Sequence, residues 1–165
     1  MSSLYYLNVT LHVLAALFWL GGMFFLAAVG APVLRKVEPP ALRAELFRKL
    51  GEGFRRGGWL AITVLLITGV GNLEARRLMN LTVLSSPVFW GSRYGRTLFW
   101  KLLAVAVMVT VSAVHDFWLG PRAGRLAPGS AEAARSRAWA AWLARINAVV
   151  GILLVFVAVR LARGG

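Results

Sequence analysis

Residues 11–25 read LHVLAALFWLGGMFF, a run with one strongly polar side chain, His12. Extended to 5–33, the apolar stretch is long enough to cross a hydrocarbon core of about 30 Å, which takes roughly 20 residues. An imidazole is costly in hydrocarbon unless something satisfies its ring nitrogens. This stretch therefore decides that the chain is a membrane protein, and it asks what keeps His12 in the span.

Three more stretches have the same character: about 57–75, 97–119 and 138–161. The reading is all-α, an integral-membrane four-helix up-down bundle in a single transmembrane domain over 1–165. Composition agrees, because 59% hydrophobic residues coexist with a formal charge of +13. Apolar spans joined by Lys/Arg-bearing loops combine these two properties, and soluble domains rarely do. The charges flank apolar runs in short clusters and build no basic face, so nucleic acid is not an expected partner. The opening residues lack the pattern of a cleaved secretory signal, so Met1 is expected in the mature chain. Cysteine is absent, which excludes disulfides and thiolate metal sites.

The segment RKVEPPALRAELFRKLGEGFRR, 35–56, is amphipathic in part and predicts a short interfacial helix in a loop. This loop and the third contain eleven Lys/Arg: 35, 36, 43, 48, 49, 55, 56, 122, 125, 135 and 137. The other side has six, at 76, 77, 93, 96, 160 and 163. The bias puts loops one and three in the cytoplasm and both termini outside. In span four, Ala141, Ala144, Ala148 and Gly151 predict a small-residue packing stripe. Gly69 and Gly71 in span two are expected to serve packing or to make room for a bulky ligand.

Strongly polar residues inside the apolar runs are His12, Lys101, His115, Asp116, Arg145 and Asn147, with Asn72 and Glu74 near an end. Such residues usually face a protein interior and mark a site. Lys101, Met108 and His115 fall seven apart on one face of span three, and His12 shares a face with Ala16, Trp19 and Met23. Asn8 and Thr10 are the nearby partners available to His12. Bland alternatives stand beside these. His115 can hydrogen-bond with Asp116 at the interface, Lys101 can snorkel, and Arg145 can snorkel or pair with Asp116. Spans one and three cross in the same direction, and Lys101 and His115 differ in depth by about 20 Å. Axial nitrogens on one haem iron are only about 4 Å apart. His12 and His115 therefore fit two metal positions, or one ligand and one other role, better than one shared haem. Phosphate loops, nucleophile elbows and H-E-x-x-H are absent. Met23, Met79 and Met108 are scattered singly, whereas thioether clusters favour Cu(I).

LHVLAALFWLGGMFF, LLITGVGNLEAR and RYGRTLFWKLLAVAVM together resemble the first three spans of the copper-resistance protein D (CopD) family. The chain is also similar to HemJ-type haem b proteins in the places of His12, Trp19, Lys101, Leu102, His115, Arg145 and Asn147. It departs from that group at RINAVVG, where the group continues Asn-Glu-Pro, so protoporphyrinogen oxidation is not expected. These resemblances imply three readings. One is a haem b membrane protein in electron transfer or a haem-linked oxidoreductase reaction. The second is a copper transport or copper-resistance protein, and the third a cofactor-free accessory subunit. In the haem reading His12 ligates iron in a cavity lined by Ala15, Ala16, Trp19 and Trp100, with His115 as a second candidate metal ligand. Lys101, Arg76, Arg77 and Arg96 then hold propionates, and Arg145 belongs to the same cofactor site. Implied partners are the lipid bilayer, a redox protein or quinone, and a second copy in a homodimer. The implied location is a bacterial or archaeal plasma membrane.

Overall fold

The computed structural model describes residues 3–125 and 130–165, which are helical and contain no strand. Four helical stretches are long and apolar enough to cross a membrane: Ser3–Leu34, Pro40–Ala75, Arg93–Arg122 and Ala138–Ala162. The all-α, four-span class expected from sequence is the one observed. The chain divides into two compact units, Met1–Asn80 and Leu81–Gly165, each of which contains two of these helices.

In the first unit, α1 (Ser3–Phe25) runs through a π turn, Leu26–Gly30, into α2 (Ala31–Leu34). Then α3 (Pro40–Ala75) returns along α1. The proline at its start fits the first helical turn, where no backbone N–H needs a partner. Of the segment 35–56, read as a loop with a short interfacial helix, residues 40–56 are helical and run without a break into the second span as one 36-residue helix. Its charges are paired along the helix surface. Arg48 bridges Glu45 at 2.7 Å and Glu52 at 3.0 Å, and Lys49 reaches Glu45 at 3.4 Å. Hydrogen bonding to Arg48 holds the Glu45 carboxyl below its ordinary value, and the two carboxylates raise Arg48. The far end closes as a Schellman turn, with Leu78 N–H donating to Leu73 C=O and Arg77 N–H to Glu74 C=O. Arg77 takes the left-handed position, φ 56°, usually held by glycine.

Small residues of α3 set the approach of α1. Gly58 lies against the Trp19 indole and Gly69 against the His12 ring, while Gly57 meets the Phe18 ring. Trp19, Ala61, Ile62 and Thr68 are buried along this seam. Leu4, Leu14 and Leu17 point outward and are exposed, as side chains solvated by lipid should be.

In the second unit the short helices α4 (Leu81–Leu84) and α5 (Pro87–Gly91) precede α6 (Arg93–Ala113). Ser92 caps α6 by accepting from Gly95 N–H at 3.0 Å. Gly95 lets α5 pack on α6, because a Cβ there would collide with the Phe89 carbonyl. A second π turn, Val114–Leu119, leads to α7 (Gly120–Arg125), and α8 (Ala131–Ala162) packs back on α6. Met108 is fully buried, and Leu98, Ser112, Asn147 and Leu161 are buried with it. The predicted small-residue stripe is only partly used. Gly151 is buried and Ala141 and Ala148 half-buried, but Ala144 is exposed. The contact line runs through Asn147 instead, because its amide donates to Ser112 Oγ at 2.9 Å.

Candidate functional site

In the first unit His12 is half-buried between α1 and α3. Its Nδ1 lies 2.8 Å from Thr68 Oγ1. The Thr68 hydroxyl in turn donates to Val64 C=O at 2.6 Å. A hydroxyl has one proton, so toward His12 the oxygen must accept. Nδ1 therefore carries the imidazole proton, and Nε2 carries the lone pair. One turn toward the chain start, Asn8 Nδ2 donates to Thr68 C=O at 2.9 Å and to Asn72 Oδ1 at 3.0 Å. Gly71 makes room for that amide, since a Cβ there would sit 2.7 Å from Asn8 Oδ1. Gly69 and Gly71 thus serve the packing of His12 and Asn8.

His12, Asn8, Thr68 and Asn72 form one polar seam between two apolar helices. The expected partners of His12 were Asn8 and Thr10; its Nδ1 partner is Thr68, on the next span. The signal was present in ITGVGN, where Thr68 and Asn72 are four apart inside an apolar run and so share a helix face. Trp19 lies on the same side of α1, buried against Gly58, and fills the space it borders. Arg76 and Arg77 are exposed at the C-terminal turn of α3.

In the second unit His115 lies within the π turn, and its Nδ1 is 2.8 Å from Asp116 Oδ1. A carboxylate only accepts, so the Nδ1 that faces Asp116 carries a proton. Both histidines thus have Nδ1 oriented by an oxygen acceptor, the arrangement typical of metal-ligating imidazoles. Lys101 is half-buried, one face with the fully buried Met108. Arg145 is exposed on α8, and Asp116 accepts from His115. Arg96 and Trp100 are exposed near the start of α6. Among the described residues, no group of three or more His, Cys, Asp or Glu gathers to hold a metal.

Helices of this length and apolarity, with polar seams inside them, define a multi-pass α-helical membrane protein. A sequence profile described as Copper resistance protein D matches residues 48–161. An "Uncharacterized protein" of Aquifex aeolicus (strain VF5) is 34% identical over 155 residues, 93% of this chain and 92% of that one. No solved structure matches. The chain belongs to the copper resistance protein D family. The copper-resistance resemblance seen in the sequence is the one these findings bear out. Thr68, Lys101, His115, Arg145 and Asn147 fall within the matched stretch, and His12 precedes it.

Proposed function

We propose that this protein handles copper in the membrane, with His12 as the principal ligand of the passing ion and Thr68 as the residue that presents it. Family membership supports a copper-resistance-related role. The observation that carries the finer reading is the chain Val64 C=O, Thr68 hydroxyl, His12 Nδ1, with distances of 2.6 and 2.8 Å. It fixes the tautomer and aims a basic Nε2, and imidazole is a good donor to copper. His115, oriented in the same way by Asp116, offers a second single-imidazole station. A station with one strong donor suits a cargo that must leave again, since conduction needs binding weak enough to release.

The test uses the purified full chain in vesicles that enclose a copper-sensitive fluorophore. Copper flux above that of empty vesicles is expected, with loss in His12→Ala and a distinct, partial reduction in His115→Ala. Flux equal to empty vesicles would overturn the proposal. The same preparation tests the haem b reading: a Soret band at stoichiometric haem that disappears in His12→Ala would replace copper with haem iron at this imidazole.

A further inference from the structure

We propose that the Arg93 end of the second unit binds the headgroup of an anionic phospholipid, at a groove lined by Trp90, Arg96, Phe99 and Trp100. The open groove has a volume of about 480 Å³. Two of its walls are fixed by hydrogen bonds: Trp90 Nε1 donates to Leu84 C=O at 2.8 Å, and one Arg96 nitrogen donates to Gly91 C=O at 3.0 Å. A guanidinium has five N–H donors, so this tether orients Arg96 and leaves most of its donors for a phosphate. Tryptophan and arginine at a span end are the side chains that sit at headgroup level.

Charge complementarity selects the occupant. Gly165 packs against Tyr94, so the end of α8 lies beside the start of α6. Arg93, Arg96, Arg160 and Arg163 are gathered at that end. The acidic side chains of 81–165 are Asp116 and Glu132, and both belong to the opposite end of these helices. Four guanidinium groups thus share one headgroup-level surface with no carboxylate side chain of this unit among them. Below the groove, Phe99, Leu103 and Val107 are four apart on α6 and exposed by 50, 42 and 40%. They form a stripe about 12 Å long, the direction and chemistry an acyl chain requires. A phosphodiester on Arg96 with its chains along this stripe matches both halves of the surface. Arg96 and Trp100 then serve a lipid and not a haem propionate.

The experiment is native mass spectrometry of the full chain released from micelles containing phosphatidylglycerol or phosphatidylcholine. One phosphatidylglycerol is expected to stay bound under conditions that strip phosphatidylcholine. Arg96→Gln should weaken that retention about tenfold, the scale of one charge-assisted contact. Arg122→Gln, at the far end of the unit, should leave it unchanged. Equal retention of the two lipids, or undiminished retention in Arg96→Gln, would overturn the proposal. So would release of the lipid by excess inorganic phosphate, which would mean a free anion is what the site takes.

Discussion

The hydroxyl of Thr68 stands 2.8 Å from His12 Nδ1 and 2.6 Å from the carbonyl of Val64, and it has one proton for the two. A serine can repeat this relay, but a valine offers His12 no acceptor. Interhelical hydrogen bonds in membranes contribute about 0.6 kcal/mol on average and at most about 1.7. Thr68→Val should therefore leave the hairpin folded while freeing the imidazole to rotate or change tautomer. Copper flux is expected to fall about tenfold in Thr68→Val and to be largely kept in Thr68→Ser. The check is flux alongside a ¹⁵N spectrum, which reports which ring nitrogen of His12 bears the proton. Equal flux in the two variants, with a shifted tautomer in one, would remove Thr68 from the mechanism. His12 itself was legible as a candidate, since hydrocarbon makes a histidine conspicuous. Its partner was not, because the choice among Asn8, Thr10 and Thr68 depends on helix register, and one sequence does not reveal which faces meet.

At the scale of elements, the glycines show how close the helices come. A Cβ at Gly95 would collide with the backbone of α5, whereas one at Gly91 meets nothing within 4 Å. Gly95→Ala should destabilise the second unit by about 1–3 kcal/mol, the usual cost of overpacking, and Gly91→Ala should not. Thermal unfolding in detergent distinguishes them, and equal midpoints would mean that α5 does not pack on α6 in this way. The long α3 was only half legible. Its charged first half reads by hydropathy as a loop with only a short helix, yet Arg48 with Glu45 and Glu52 supports helix there through pairs three and four residues apart. Glu45 is depressed by Arg48, so its contribution is present above the ordinary carboxyl value, about 4.5, and is lost as pH falls through the lowered one. Between pH 7 and 5 amide exchange in 43–53 should therefore keep its protection pattern, after correction for intrinsic rates. Arg48→Ala should speed exchange there and leave 57–75 unchanged. Loss of protection already at pH 5 would show that these pairs do not hold the segment.

Across the whole molecule, both units have one design: a span with a π turn in its last third, followed by a returning helix joined to it through polar side-chain contacts. Hydropathy showed the four spans, because length and apolarity are local properties. The π turns and the exposed Ala144 were hidden, since both depend on what the partner helix presents. Orientation is a third kind of property, written in loop charge and independent of packing. Eleven basic residues on loops one and three against six on the other side predict that residues 35–56 lie in the cytoplasm. On that prediction four crossings return the chain to the side it started from, and His12, near the beginning of its span, is expected toward the outside. Three single-cysteine variants of this cysteine-free chain test the assignment: Ser3→Cys and Gly91→Cys at exposed positions and Arg43→Cys at a half-buried one, all outside the polar seams. A membrane-impermeant maleimide applied to intact cells should label the first and third. Arg43→Cys should react only after the membrane is opened. Labelling of Arg43→Cys from outside, with Ser3→Cys and Gly91→Cys protected, would invert the topology. His12 would then meet copper from the cytoplasm, and the direction of transfer would reverse.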